Sequence, residues 1–156
     1  MIVVGIDPGL ARVGYGVLSR AERYPTPLAF GCIETDGDRS TEQCLREIYE
    51  KISVILDEYN PAWVAVEQLF FTRNVTSAMR VSEARGVLLL AAELRDIPIA
   101  EYTPNQIKQA VTGSGRADKH QVQEMMRRLL HLQEIPKPDD AADGLAVALC
   151  HMNTLR

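Results

Sequence analysis

Four acidic residues lie next to the apolar segments of this sequence, where a charged side chain is least expected. Asp7 ends the first apolar run, residues 2–6, and Glu67 ends a second run in the middle of the chain. Asp140 and Asp143 open the apolar segment near the C-terminal end. A buried carboxylate is costly unless it is paired, because an unpaired charge shifts its pKa or acquires a cation. No basic residue adjoins these acids in the sequence, so together they suggest a divalent metal site.

The residue types in this set narrow the choice of metal ion and the type of reaction. Clustered carboxylate oxygens suit Mg²⁺ or Mn²⁺, whereas the cysteines and histidines of the chain form no zinc motif. Carboxylates that hold Mg²⁺ commonly serve phosphodiester chemistry, in which two ions roughly 4 Å apart activate the attacking water and stabilise the leaving oxygen. We therefore predict two Mg²⁺ ions per site, with Mn²⁺ as a substitute. Whether His151, two turns after Asp143, approaches the site is left open.

The elements expected around these residues bring two of the acids together. Three strand-like runs come first and are joined by short connections with Gly or Pro, which favours an antiparallel meander. A helix with Ser40 and Gln43 as a capping box then leads to the strand that ends at Glu67. Such a crossover places this strand parallel to the first one. Asp7 and Glu67 should then share the sheet edge at which open α/β sheets place their sites.

Helical periodicity and end signals dominate the second half of the chain. The last helix begins near Asp139, which we interpret as its N-cap. The whole pattern predicts an α/β fold in which helices flank a five-stranded mixed sheet, in a single domain spanning residues 1–156. The predicted strands are 2–6, 14–18, 28–34, 63–66 and 97–102, and the predicted helices begin near residues 40, 75, 104, 118 and 139.

The composition is that of an ordinary globular protein, with 46% hydrophobic and 24% charged residues among 156. A net charge of −4 does not by itself indicate a nucleic-acid partner, but the charge is unevenly distributed. Three scattered cysteines form no disulfide framework. No segment resembles a signal peptide or a membrane span, so we expect a cytoplasmic protein.

Residues 108–128 form a locally basic segment that is suited to a polyanionic substrate. It contains Lys108, Arg116 and Lys119. The linker 113–116 between two predicted helices includes glycines, which allow backbone N–H groups to approach phosphate. A plain flexible connection between the helices explains this linker equally well.

The segment after Glu67 contains two of the three phenylalanines of the chain, Phe70 and Phe71, followed by Arg73 and Asn74. Aromatic side chains on a loop can stack on unpaired bases while a nearby arginine contacts the backbone. Ordinary core packing is the alternative. We expect one phenylalanine to be buried and the other, Phe70, to be exposed.

Taken together, these motifs resemble those of RuvC-type Holliday-junction resolvases. The resembling stretches follow one another in order along nearly the whole chain, so the resemblance is specific although no single stretch is. They are Gly5-Ile6-Asp7-Pro8-Gly9, Val66-Glu67-Gln68 with Phe70, Ala84-Arg85-Gly86, the stretch 113–119 and the stretch 140–146.

The resemblance implies a ribonuclease-H-like fold and a homodimer whose two sites nick opposed strands of a four-way DNA junction. It implies Mg²⁺-dependent hydrolysis that leaves 5′-phosphate and 3′-hydroxyl ends, a role in recombination and repair, and a branch-migration motor as a partner. The matching residues are the acidic quartet Asp7, Glu67, Asp140 and Asp143, the junction-inserting Phe70, and the DNA-contacting Lys108 and Lys119.

Paired cuts favour a dimer on physical grounds as well, because one site cuts one strand and a C2 dimer supplies two sites through one interface. The apolar helix segment 86–92 is a candidate contact between the two copies. Burial of this segment against its own sheet explains its composition equally well.

Three other functions compete with this interpretation. Phosphotransferases of the actin and sugar-kinase type share the strand, the aspartate and the Gly-rich turn, but they need a second nucleotide-binding half for which 156 residues leave no room. Another ribonuclease-H-like nuclease, acting on RNA or on linear DNA, stays open. A DNA-junction binding module with vestigial carboxylates would function unchanged without Mg²⁺.

Overall fold

A computed structural model describes residues 1–69 and 74–155 of the chain. Its strands are β1 (Ile2–Asp7), β2 (Arg12–Ser19), β3 (Thr26–Glu34), β4 (Trp63–Glu67) and β5 (Ile99–Tyr102). Its helices are α1 (Thr41–Tyr59), α2 (Val75–Glu93), α3 (Pro104–Thr112), α4 (Lys119–Leu129) and α5 (Asp139–Thr154). The strands form one sheet in the order β3-β2-β1-β4-β5, which confirms the predicted mixed α/β architecture.

The sheet combines an antiparallel half with a parallel half. β1, β2 and β3 pair antiparallel as a meander. The crossover through α1 then sets β4 parallel to β1, with Gly5 opposite Ala65, and β5 adds parallel to β4. Both features agree with the sequence prediction. β5 begins at Ile99 rather than at residue 97, because Pro98 has no N–H to donate to a neighbouring strand.

Alternating side chains fill a separate core on each face of the sheet. Val4 and Ile6 point towards α1 and α2, into an aliphatic core that includes Leu88. Val3 points the other way, into a core shared with α3, α4 and α5. Asp7 has the same parity as Val3, so the acid at the end of β1 belongs to the α5 face.

The helix starts follow capping chemistry, with one exception. Ser40, Thr103 and Asp118 each form a capping box with the glutamine three residues later, which satisfies free N–H groups of α1, α3 and α4. The predicted N-cap of α5 is wrong. Pro138, in an extended conformation, occupies the N-cap position, and Asp139 is the first helical residue. As an anion in the first turn, Asp139 still interacts favourably with the helix dipole.

Helix α2 is apolar on two sides. Its buried side, which includes Leu88, packs on the sheet. On another side, four large apolar residues are between 53% and 62% exposed, and we call them the apolar stripe: Val75, Met79, Leu90 and Leu94. Neither α2 nor any other helix in the described ranges is both long and apolar enough to cross a membrane.

Candidate active site

Two of the four acids lie side by side where β1 and β4 end. The parallel register brings Asp7 next to Glu67, and their side chains are hydrogen-bonded to each other. This is the placement that the predicted crossover requires. It occurs at the carboxyl edge of the parallel half of the sheet, where the chain leaves the strands and side chains can face a substrate.

The other two acids reach this edge because α5 lies unusually close to the strands. A Cβ atom on Gly14 would overlap the backbone of Asp140, and one on Gly16 would lie 2.5 Å from the amide nitrogen of Leu145. Gly5 and Gly144 meet in the same way. Backbone therefore packs directly on backbone, and only glycine allows this approach. The pair Gly14 and Gly16 in β2 was the sequence signal for this contact, and the sequence analysis missed it.

The close approach of α5 assembles a group of oxygen ligands. Asp7, Asp140 and Asp143 each offer one carboxylate oxygen, and these atoms all lie within 4.8 Å of one another. Glu67 falls outside this group of three but is hydrogen-bonded to Asp7. All four predicted acids thus meet at one edge of the sheet. A set of carboxylate oxygens suits a hard divalent cation.

The electrostatics of the group favour a cation in the same place. Burial raises the pKa of Asp7 to about 8, and the hydrogen bond and charge of Glu67 add to the effect. Burial and the charge of Asp7 raise the pKa of Asp143 to about 7. Ionising the whole group is therefore costly, and a bound divalent ion would offset the cost. Both the positions of the carboxylate oxygens and their mutual repulsion favour binding of such an ion.

The expectation that the acids lack basic neighbours is wrong for Asp140 and for Asp143, on which the charge of Lys119 acts. Arg12 Nη1 lies 3.7 Å from Asp140 Oδ2, and Arg12 Nη2 lies 3.2 Å from Glu34 Oε1. The guanidinium is shared between two acids and its side chain is 56% exposed, so it neutralises little of the acidic group. The pairing of Arg12 with Glu34 follows from the β2–β3 register, which the sequence analysis did not define residue by residue.

A cavity of about 260 Å³ opens beside the acids. Its lining includes Glu67 and Asp143 together with Lys108 and Lys119, the two lysines that the resemblance had singled out. Burial lowers the pKa of Lys119, but the charges of Asp143 and Asp139 outweigh it and hold this pKa above its usual range. Acidic and basic side chains thus line the same cavity. A phosphate backbone lying in it would contact the lysines and bring its phosphorus to the acids.

Arg116 does not line the cavity beside the acids. It lines another, of about 480 Å³, together with Arg128. Within the linker 113–116, the N–H of Arg116 donates to Ser114 Oγ (3.2 Å), and the N–H of Gly115 donates to a glutamine side chain of α3 (3.1 Å). These two N–H groups donate to atoms of the protein itself and are not available to a phosphate. The linker is therefore a hydrogen-bonded turn rather than a set of free N–H groups or a loose connection.

The segment after β4 can be compared with the structure only at its end. The predicted DNA contacts Phe70 and Arg73, and the neighbouring Phe71, lie outside the described residues. Asn74 is the N-cap of α2, and its side-chain oxygen accepts a hydrogen bond from the N–H of Ser77 (3.2 Å). Contact of Asn74 with DNA stays a prediction beside this structural role.

His151 belongs to the core and not to the group of acids. Its Nδ1 lies 2.6 Å from the hydroxyl of Tyr102, and its ring centroid lies 4.7 Å from that of Trp63. Trp63 is the first residue of β4 and Glu67 is the last, so His151 packs at the end of the strand that is far from the acids. Burial lowers the pKa of His151, so the ring is neutral at physiological pH.

One cation near the acids was not assigned a role from the sequence. A cavity of about 220 Å³ is lined by Asp7, Glu67 and Gln68 together with Arg85 of α2. Arg85 is ion-paired with Glu101 of β5. The pairing joins α2 to β5, which follow each other in the chain but whose contact no sequence pattern defines. The only signal was that Arg85 belongs to one of the resembling stretches.

The chain matches known proteins along nearly its whole length. The family model described as crossover junction endodeoxyribonuclease RuvC matches residues 3–151. A curated relative of that name from Pseudothermotoga lettingae is 50% identical over 151 residues, covering 97% of this chain and 93% of the relative. Another, from Alkaliphilus metalliredigens, is 50% identical over 154 residues, covering 99% and 94%.

Solved structures agree with these matches. The Thermus thermophilus RuvC structure superposes with a TM-score of 0.93 at 35% identity, covering 100% of this chain and 96% of that one. T. thermophilus RuvC in complex with Holliday junction substrate gives a TM-score of 0.95 at 36% identity, covering 100% and 95%. The predicted ribonuclease-H-like fold is confirmed.

Proposed function

Because the chain belongs to the RuvC family of crossover junction endodeoxyribonucleases, we propose that it is an endodeoxyribonuclease that resolves four-way (Holliday) DNA junctions in recombination and repair. Residues 1–156 would act as one nuclease domain. Each cut hydrolyses one phosphodiester and leaves a 5′-phosphate and a 3′-hydroxyl. The observation that carries the proposal is the group of three aspartate oxygens within 4.8 Å of one another, next to a cavity lined by two lysines.

The proposed cofactor is Mg²⁺, with two ions per site and Mn²⁺ as a substitute. Asp7, Glu67, Asp140 and Asp143 would hold the ions. Bound there, such ions lower the pKa of a water molecule and stabilise charge on the phosphate and the leaving oxygen. The sheet edge and α5 fix the carboxylates before substrate arrives, so that little reorganisation is needed at the moment of reaction.

The lysines and the acids have complementary tasks in this proposal. A phosphodiester is repelled by carboxylates, and the charges of Lys108 and Lys119 in the same cavity offset that repulsion. The raised pKa values of Asp7 and Asp143 mean that both groups must lose protons before they can act as ligands. Cleavage should therefore increase with pH through the neutral range.

Further contacts with the junction are proposed at some distance from the acids. Arg116 and Arg128 line the cavity on the α4 side and would bind phosphates of a junction arm. These contacts are electrostatic, so binding should weaken with salt. Besides Arg128, the proposed DNA-contacting residues are Phe70, Arg73, Asn74, Lys108, Arg116 and Lys119.

A homodimer is proposed because resolution requires two cuts and the described part of the chain offers one such group of acids. The apolar stripe on α2, whose residues are more than half exposed, supports α2 as the contact between the copies. A C2 arrangement would bury the stripe of one copy against that of the other. A branch-migration motor is the further partner that we propose.

The test is incubation with synthetic four-way and linear duplex DNA, with Mg²⁺ present or chelated. Symmetric paired nicks restricted to the four-way molecule and dependent on the metal are the expected result. Cutting of linear DNA or RNA would indicate a different ribonuclease-H-like nuclease. Junction binding with no cutting under any divalent ion would indicate a non-catalytic binding module.

A further inference from the structure

Two cavities flank the acids. The first is lined by Lys108 and Lys119. The second, of about 220 Å³, shares Glu67 and Pro104 with the first. Among the described residues that line it, Arg85 is the only cation.

Arg85 is held in a way that a purely structural role does not explain. One of its terminal nitrogens pairs with Glu101, and its side chain is only 19% exposed. Its Nε atom is buried and has no hydrogen-bond partner. A buried donor without a partner costs free energy. A lysine would make the same single ion pair without that cost, so the pairing alone does not account for a guanidinium here.

The two cavities lie towards opposite faces of the sheet. Glu101 pairs with Val66 in the β4–β5 register, and Val66 belongs to the core on the α1 and α2 face. Glu67, the next residue, belongs to the α5 face by alternation. A backbone that crosses this edge would pass the lysines, then the acids, then Arg85.

From this geometry we propose that Arg85 binds the DNA phosphate that neighbours the scissile one on the α2 side. The substrate strand would then be held on both sides of the bond that is cut. A guanidinium suits this task, because its planar fork can donate two parallel hydrogen bonds to a phosphate while Glu101 fixes its orientation. The inference rests on the proposed function.

The first measurement is the salt dependence of junction binding in Ca²⁺ for wild type and three variants. Arg85→Gln should reduce the slope of log Kd against log salt by roughly 0.7–0.9 per site, the value for one phosphate contact. Glu101→Gln keeps the guanidinium and should retain the wild-type slope. Arg95→Gln is the matched control, since Arg95 lies two residues after the end of α2 and is paired with Asp57 (2.7 Å). It should leave the slope unchanged.

The second measurement is the single-turnover cleavage rate in Mg²⁺ with enzyme in excess. Arg85→Gln should lower it by about tenfold or more, because a misplaced strand loses the geometry for reaction. The change at Glu101 should cost less, and the Arg95 control should match wild type. If Arg85→Gln is poorly folded, the double variant Arg85→Met with Glu101→Leu replaces the pair by apolar side chains, a change that folds commonly tolerate. It should show the same loss of slope.

The outcomes separate this inference from the function on which it rests. Wild-type slope and rate in Arg85→Gln, or in the double variant, would overturn the inference while leaving the nuclease intact. Equal loss of rate in the Arg85 and Glu101 variants, with wild-type slopes in both, would also overturn the inference. It would show that Arg85 only connects α2 to β5. Absence of junction cutting by the wild type would instead overturn the proposed function.

Discussion

The two faces of the sheet are packed by different means. On the α5 face, Gly14 and Gly16 let the backbone of the helix rest directly on β2. On the α1 and α2 face, aliphatic side chains such as Ile48 and Leu88 fill the space between the helices and the sheet. The face built by backbone contact carries the acids Asp140 and Asp143. Backbone contact leaves no side chain to repack, so it fixes the position of a helix more strictly than a side-chain layer does.

This difference implies a division of roles. Changes on the α5 face should alter cleavage through the position of the acids. Changes in the aliphatic core of the α1 and α2 face should alter stability and leave the chemistry of the folded enzyme intact, and Arg85, at the edge of that face, is the proposed exception. The predictions below test this division, beginning with the largest expected effect.

Asp7→Asn removes the acid that the other three surround. It should lower the cleavage rate by more than about 100-fold, because even the outer partners of metal ligands cost 10–100-fold when changed. Junction binding and the fold should persist. The control Asp38→Asn changes an exposed acid in a loop and should cleave like wild type. Rapid metal-dependent cutting by Asp7→Asn would contradict the assignment of the site.

Gly14→Ala places a methyl group where the backbone of Asp140 lies. Overpacking should destabilise the protein by about 1–3 kcal/mol, and displacement of α5 should lower cleavage by roughly 10- to 100-fold in the protein that is folded. Thermal unfolding and single-turnover cleavage measure the two effects. Gly37→Ala is the control, since a Cβ there meets nothing within 4 Å.

Leu88→Ala tests the opposite face. Loss of this fully buried side chain should destabilise the protein by about 2–5 kcal/mol. Its cleavage rate, measured well below the unfolding temperature, should stay within about threefold of wild type. A loss of cleavage as large as that of Gly14→Ala would remove the distinction between the two faces.

The acids should also make metal-free stability depend on pH. The pKa values of Asp7 and Asp143 in the folded state, about 8 and about 7, exceed the usual 3.8. Between those limits the folded state binds more protons than the unfolded state, so stability should fall as pH rises from 4 towards 8. The fall should be at least about 1 kcal/mol, or roughly 2–4 °C in Tm. Added Mg²⁺ should reverse it. A metal-free Tm that rises over this range would contradict the raised pKa values.

Lys119→Ala should have the smallest effect. It removes one proposed phosphate contact and the pair with Asp139 (3.4 Å), which is exposed and contributes little to stability. The salt slope of junction binding should fall by roughly 0.7–0.9 per site while the Tm changes little. A wild-type slope would exclude Lys119 from the interface.

The acids that end strands were predictable from the sequence, and the contacts around them were not. Asp7 and Glu67 follow from a crossover rule that fixes which strands are neighbours. The distance of Asp140 and Asp143 from them depends on how closely a helix approaches a sheet, and the glycines of β1, β2 and α5 encode that. The ion pairs of Arg12 with Glu34 and of Arg85 with Glu101 depend on how consecutive elements pair and pack, so no local pattern in the sequence predicts them.

The N-cap of α5 was predicted wrongly and the position of His151 was left open, for similar reasons. An aspartate beside a proline at a helix start can be either the N-cap or a residue of the first turn. Asp139 is the first residue of the first turn. His151 lies two turns from Asp143, and helical spacing could not distinguish the site from the core. Its partners Trp63 of β4 and Tyr102 of β5 place it in the core.

The most direct test of the central claim is a crystal structure grown with Mn²⁺ and measured for anomalous scattering at the manganese edge. We predict anomalous peaks bound by the carboxylates of Asp7 and Asp143, with Glu67 or Asp140 completing the ligands. Loss of these peaks in Asp7→Asn crystals would accompany loss of cleavage. Absence of manganese at this edge in an enzyme that still cuts junctions, or its binding elsewhere in the chain, would contradict the account.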